Sequence, residues 1–273
     1  GLRILVLTGG SDVTFLGRGG SDTTAVALAH AVKADACELY TDVTGVFTSD
    51  PRIVPTARLM TNVSFDELLE MTATGCPKPA MRSVEYARTH GVKLHIRSAF
   101  TWQEGTWVGE EKVEMEQAIV SAVTHDTSET KMTISGVPDK PGIAASVFRA
   151  LSDVDVNVDM IVQNTSEDGV TDISFTVPHG DLEASMSIAE NLVGDIGASG
   201  VSSDTEVARV TVIGAGMRSN PGVAASMFET LAENGINIQM ISTSAIRVSC
   251  MVAENQINEA VQALHETFGL AES

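Results

Sequence analysis

The stretch FLGRGGSDTTAVALAHAV, residues 15–32, sets one arginine among three glycines, runs straight into Ser-Asp-Thr-Thr, and then reads as a helix. Gly17, Gly19 and Gly20 permit positive φ and close backbone approach. Ser21 or Asp22 can cap the helix expected from about Thr23 to Val32. Free N–H groups at such a helix start attract an anion, and the Arg18 guanidinium can hold a carboxylate through two parallel hydrogen bonds. The same residues also suit a plain glycine turn that opens a capped helix. Their spacing is that of neither a P-loop nor a dinucleotide fingerprint, so the segment alone leaves both readings open.

A second segment, YTDVTGVFTSDPRIV at residues 40–54, carries acidic and basic groups at a strand end. Thr41 and Asp42 close the strand, Gly45 allows a turn, and Asp50-Pro51 begins another turn beside Arg52. In open α/β sheets, ligands sit beyond the carboxyl ends of strands. Asp42 and Asp50 can hold Mg²⁺ or a ribose there, and Arg52 can reach a phosphate. An Asx turn explains Asp50 before proline equally well.

These groups need a scaffold, and the sequence supplies one. Arg3–Thr8 is a short apolar run ending in two glycines, as in a buried parallel strand. After the expected helix, residues 36–43 read as the next strand, giving an α/β unit. Ser64 with Glu67 three residues on forms a capping-box pattern before an apolar face of Leu68, Leu69 and Met71. Residues 79–91 read as a helix closed by Gly91, and residues 92–100 as a strand. The polar stretch 101–116 reads as an edge segment and linker.

The second half repeats itself. Residues 139–161 align without a gap on residues 219–241, an offset of 80. Pro141 meets Pro221, Gly142 meets Gly222, Phe148 meets Phe228, Leu151 meets Leu231 and Asn157 meets Asn237. Identity in that register over so many positions marks an internal duplication. Each copy reads strand, Pro-Gly turn, helix, strand, strand, helix, the ferredoxin-like order. The Pro-Gly turn at a helix start leaves N–H groups for an amino acid's carboxylate. Side-chain oxygens of Asn157, Asp159 and Gln163 can take its ammonium. A turn or strand-edge asparagine is the plain alternative for Asn157 and Asn237.

Composition narrows the class. There are 17 basic and 36 acidic residues, a formal charge of −19. Such a surface repels phosphate backbones, which disfavours nucleic acid and anionic membranes as partners. ATP is still admissible, because Mg²⁺ and backbone dipoles set the local field. No apolar run nears the roughly 20 residues of a membrane span. No secretory signal pattern opens the sequence. Three cysteines far apart suit neither a metal site nor disulfides, so a reduced cytoplasm is the expected setting.

Taken together, LGRGGSDTT, then TDVTGVFTSDPR, RSVEYA at residues 82–87 and the tandem DKPG…NVDM and NPG…NIQMIST halves resemble the aspartate kinases of the amino-acid kinase family. The resemblance covers nearly the whole chain in order. It implies an α/β fold: the C-terminal part of an amino-acid-kinase sheet sandwich (residues 1–112), then two ferredoxin-like (βαββαβ) ACT domains (113–205 and 206–273). It implies transfer of the ATP γ-phosphoryl group to L-aspartate with Mg²⁺, and feedback by lysine or threonine. Arg18, Gly19, Gly20 and Ser21 would contact aspartate, and Asp22 would organise the catalytic centre. Thr41, Asp42, Phe47, Thr48, Ser49, Asp50, Pro51 and Arg52 would surround the nucleotide. Effectors would meet Asp139, Lys140, Pro141, Gly142, Ile143, Ala144, Asn157, Val158, Asp159 and Gln163 in the first copy. In the second they would meet Asn237, Ile238, Thr243 and Ser244. A homodimer through the ACT units, or pairing with a catalytic subunit, is the implied assembly. Two departures stand out. The family's early Lys-[Phe/Tyr]-Gly-Gly motif is missing, since no lysine precedes Lys33. Pro77 falls where an ATP-contacting lysine is expected, with Lys78 one residue late.

Overall fold

The computed structural model describes Gly17, residues 19–110, 119–164 and 169–271, and the backbone of residues 6–7 and 13–14. Strand β1 (Val6–Leu7) pairs antiparallel with β2 (Val13–Thr14) in a two-stranded ribbon of its own, rather than joining a parallel sheet as expected. The rest of the Arg3–Thr8 strand lies outside the described residues, as does Arg18.

The kinase-like part follows as helix α1 (Gly20–Ala31), β3 (Cys37–Thr41), β4 (Asn62–Ser64), α2 (Phe65–Ala73), α3 (Met81–His90), β5 (Leu94–Ser98) and β6 (Thr106–Gly109). Its sheet runs β3-β5-β6-β4, with β3 parallel to β5 and β6 antiparallel to β5. Strand β6 is therefore internal, not the edge expected for residues 101–116. Thr106 and Val108 face inward, while Trp107 stacks on the buried His95 ring at 3.8 Å between centroids. Val26 of α1, Leu68 and Met71 of α2, and Val84 and Ala87 of α3 pack with Leu94 and Ile96 of β5 in one core. A fully buried leucine such as Leu68 contributes about 1.5–3 kcal/mol.

Helix α2 begins where the sequence says it should. Ser64 Oγ accepts from Glu67 N–H at 3.2 Å, and Ser64 N–H donates to Glu67 Oε2 at 3.3 Å. Ser64→Ala is expected to cost about 1 kcal/mol of stability, read as a lowered thermal midpoint with unchanged far-ultraviolet dichroism. Gly91 closes α3 in the left-handed conformation.

The remaining chain forms two four-stranded antiparallel sheets. The elements are β7 (Ala122–Asp126), β8 (Glu129–Pro138), α4 (Ile143–Ser152), β9 (Ile161–Gln163), β10 (Val170–Pro178), α5 (Leu182–Ile196) and β11 (Gly200–Asp204). Then come β12 (Val207–Ile213), α6 (Val223–Glu233), β13 (Met240–Thr243), β14 (Arg247–Ala253) and α7 (Ile257–Thr267). The first sheet is ordered β11-β8-β10-β9, the ferredoxin-like arrangement, and its core holds Met132, Ile134, Leu151, Ile173 and Phe175. The second is ordered β13-β14-β12-β7. Its fourth place is filled by β7, which precedes the whole first unit in the chain. Chain order had set the second unit at residues 206–273; the sheet reaches back across the first unit to complete itself. The two units meet through Met160, Val207, Met240 and Met251, with Val162 packed alongside.

Candidate functional site

The glycine turn builds a helix start more tightly than expected. Gly19 is the residue before α1, with φ 71°, and the helix begins at Gly20 rather than at Thr23. Neither Ser21 nor Asp22 caps it. Asp22 instead turns across the domain, where its Oδ2 accepts the Ala80 N–H at 3.2 Å. A Cβ on Gly19 would overlap the Cβ of Ala80, so the close approach of the two segments requires glycine. The first N–H groups of α1 have no partner within the helix.

The same segment that meets Asp22 carries Lys78 to the end of β3. Lys78 Nζ donates to Asp42 Oδ1 at 2.9 Å, and this bond holds the Asp42 carboxyl below its ordinary pKa. Thr41 Oγ1 accepts from the Val43 N–H at 3.1 Å and donates to the Val43 carbonyl, which shapes the turn after β3. The Ala99 N–H donates to the Thr41 carbonyl at 2.7 Å, so the ends of β3 and β5 stay level. Glycine turn, Asp22, Asp42 and Lys78 thus converge at one end of the sheet.

The second half of the expected nucleotide segment divides. Asp50 and Arg52 form a two-pronged pair, with Arg52 Nη2 2.6 Å from Asp50 Oδ2. Hydrogen bonding from Arg52 lowers the Asp50 pKa. Pro51 is exposed. Phe47, Thr48 and Ser49 point elsewhere. Phe47 packs on the core of the second ACT-like unit. Thr48 Oγ1 is buried against His265 Nε2 of α7 at 2.9 Å, and the Ser49 side chain is buried. The Phe47 and Thr48 side chains hold the kinase-like part to the second unit, whereas the buried Ser49 hydroxyl has no hydrogen-bond partner among the described residues. Asp42 and Asp50 are each paired with a basic side chain, Lys78 and Arg52 respectively. Among the described residues no group of three or more His, Cys, Asp or Glu is placed to hold a metal ion.

The effector segments repeat one another. Gly142 and Gly222 both precede a helix with left-handed φ, 98° and 113°. Asp139, Lys140, Pro141, Asn157 and Gln163 are exposed around the first turn, with Ile143, Ala144 and Val158 half-buried against the core of that unit. Asn237 and Thr243 are exposed in the second unit, and Ile238 packs on its core. Two of the expected ligands are already engaged. Asp159 pairs with Arg209, and Ser244 Oγ donates to Glu70 Oε1 of α2 at 3.0 Å. Arg209 and Glu70 were not among the sequence candidates. A single charged residue in the otherwise uncharged, β-branched-rich run Val207–Ile213 was the legible signal for the first.

Residues 1–98 match the amino acid kinase family, and residues 132–194 and 210–268 each match the ACT domain. The chain is therefore of the class that joins amino-acid-kinase elements to paired ACT domains. It is 53% identical over 263 residues to the aspartokinase of Mycolicibacterium smegmatis, covering 95% of this chain and 62% of that protein. The E. coli aspartokinase III structure in complex with aspartate and ADP superposes with a TM-score of 0.81 at 26% identity, over 97% of this chain and 59% of that one. A structure of aspartokinase alpha and beta subunits matches with a TM-score of 0.53 at 45% identity, over 55% of this chain and 99% of that one. The chain belongs to the aspartokinase family. It spans 62% of the length of the M. smegmatis relative.

Proposed function

We propose that the chain supplies the carboxyl-terminal part of an aspartate kinase site and its amino-acid sensor. The reaction is transfer of the ATP γ-phosphoryl group to the β-carboxylate of L-aspartate, giving 4-phospho-L-aspartate. Such a transfer depends on positioning and charge neutralisation more than on covalent chemistry. Arg18 clamps a carboxylate of aspartate beside the Gly19–Ser21 backbone. Asp22 orients the 78–80 segment. Thr41, Asp42, the Asp50–Arg52 turn and the backbone of Phe47–Ser49 border the nucleotide, whose phosphate charge Mg²⁺ bound with ATP would help to neutralise.

The observation that carries this reading is the Lys78–Asp42 contact. Lys78 is one residue late in sequence and is flanked by Pro77 and Pro79, yet its ammonium reaches the strand end where a phosphate would lie. It thereby replaces the lysine that the family places one position earlier. Threonine or lysine serves as effector at the Pro-Gly turns, residues 139–144 with Asn157–Asp159 and Gln163, and Asn237, Ile238, Thr243 and Ser244. The exposed Ile161 on β9 and Ile241 on β13 leave an apolar surface that suits dimerisation through the ACT units.

A regulatory chain that pairs with a separate catalytic subunit is the second reading. It is favoured by the match to the aspartokinase alpha and beta subunit structure, of which the aligned part covers 99%. Calorimetric titration with Mg-ATP, aspartate, threonine and lysine separately decides between them. Under the first reading Mg-ATP and aspartate both give heat. Lys78→Ala then weakens Mg-ATP about tenfold, roughly 1.4 kcal/mol, and Arg18→Ala abolishes the aspartate heat. Heat with threonine or lysine alone assigns the chain to regulation.

A further inference from the structure

Arg209 on β12 is 1% exposed and heads the fully buried side chains by volume. A buried guanidinium is tolerated only when it is paired and hydrogen-bonded, and an apolar side chain of similar size often stabilises a fold as well or better. Its partners therefore indicate what else it does. Asp126 at the end of β7 lies 3.3 Å away and Glu129 at the start of β8 lies 3.2 Å away, while Asp159 ahead of β9 pairs with the opposite nitrogen. Arg209 Nη2 also donates to the Ala73 carbonyl at 3.0 Å. Ala73 is the last residue of α2. One side chain thus joins the first ACT unit, the second ACT unit and the kinase-like part.

The residues after Ala73 lead directly to the site. Thr74 Oγ1 bonds Thr124 Oγ1 on β7 at 2.6 Å, Gly75 lies against the His125 backbone, and Cys76 Sγ donates to the Lys78 carbonyl. Two residues past Cys76, Lys78 meets Asp42. The second ACT unit holds the same helix further up. Ser244 and Arg247 both bind Glu70, the latter at 3.1 Å. Each effector segment therefore contains a side chain already committed to α2: Asp159 by way of Arg209, and Ser244 directly.

We infer that Arg209 is a positioning residue for Lys78. It fixes the carboxyl end of α2 while Asp159 holds its guanidinium. An amino-acid effector whose ammonium group takes Asp159 frees the guanidinium to turn toward Glu129 and Asp126, and the Ala73 carbonyl loses its donor. The Thr74–Lys78 segment then loosens, and Lys78 leaves Asp42. This inference rests on the nucleotide role of Lys78 and the effector role of Asp159 proposed above.

Cys76 reports on the segment without any need for catalysis. It is half-buried, whereas Cys37 and Cys250 are buried and serve as internal references. The 273-residue chain is alkylated with N-ethylmaleimide, and each cysteine peptide is followed by mass spectrometry in wild type, Asp159→Asn and Arg209→Lys. Asp159→Asn keeps Arg209 paired with two carboxylates, so it preserves the fold. It is expected to label Cys76 about fivefold faster or more, as local opening becomes easier, with Cys37 and Cys250 unchanged. Arg209→Lys, which keeps the charge but loses the planar fork, falls between wild type and Asp159→Asn. Threonine or lysine added to wild type reproduces the acceleration and adds nothing to Asp159→Asn. A merely structural Arg209 would instead raise labelling of all three cysteines together. Wild-type Cys76 rates in both variants would overturn the inference, whatever the calorimetry shows. Acceleration in Asp159→Asn with no response of wild type to either amino acid would overturn the effector reading and leave the positioning role standing.

Discussion

Arg209→Met is expected to lower the stability of the fold by about 3–5 kcal/mol at neutral pH. Methionine roughly matches the length of the arginine stem, so the loss comes from charge rather than from an empty space. Without the guanidinium, Asp126, Glu129 and Asp159 face one another with no cation among them. Glu129 bears most of this, being the least exposed of the three. Burial already pushes its carboxyl above the ordinary range, and Arg209 is the chief influence pulling it back. Remove that influence and the folded-state pKa rises further above the unfolded one. A carboxyl raised in the folded state contributes stability below its unfolded pKa and loses it as pH climbs through the folded value. The penalty of Arg209→Met therefore shrinks on acidification from neutral pH toward about pH 5, whereas wild type has less to gain. Urea midpoints for both proteins at the two pH values measure this. A loss under about 1 kcal/mol, independent of pH, would mean that the three carboxylates reach water in the folded state.

How much of this was legible depended on the distance over which each feature is decided. The Ser64–Glu67 box and Gly91 are local, and both ends of the helical stretch fell where those residues put them. The duplication at offset 80 fixed two like units with a glycine at each helix start, because equal residues in equal register fold alike. Strand β6 was missed because four residues between Glu104 and Glu110 give almost no periodicity to read. Its burial comes from lying between β5 and β4. The assignment of β7 to the second sheet is a long-range choice, since its partner β12 comes only after the whole first unit. At the candidate site, Asp22 was legible as a polar residue at a helix start but not in its actual use. Gly19 takes the left-handed turn, the helix starts early, and the carboxylate is left to receive Ala80. Phe47 and Thr48 sit inside the expected nucleotide segment, but Phe47 packs on the second unit's core and Thr48 bonds His265 of α7, which the segment by itself does not reveal.

Gly75→Ala is expected to cost more than about 2 kcal/mol, and Gly91→Ala only about 1 kcal/mol. Both glycines have positive φ, 116° and 65°. The value at Gly91 lies near the left-handed basin around 57° that other residues visit, and a Cβ there would meet no atom within 4 Å. Gly75 lies well outside that basin, and its Cβ would overlap the carbonyl oxygen of His125. That oxygen belongs to the backbone of β7, which is paired to β12 along its length, Thr124 opposite Thr211 and His125 opposite Val210. A strand held in this way does not yield, so the Thr74–Lys78 segment must. Gly75→Ala is thus a displacement of Lys78 imposed from beneath, with Arg209, Asp159 and the effector turns untouched. It should speed Cys76 alkylation and, under the nucleotide role proposed for Lys78, weaken Mg-ATP in parallel, while Gly91→Ala changes neither. Thermal midpoints and Cys76 rates for the two variants provide the check. Equal midpoints would remove the close contact between residue 75 and β7. The coupling from the ACT pair to Lys78 would then have to run through the α2 helix alone, by way of Glu70 and the Ala73 carbonyl.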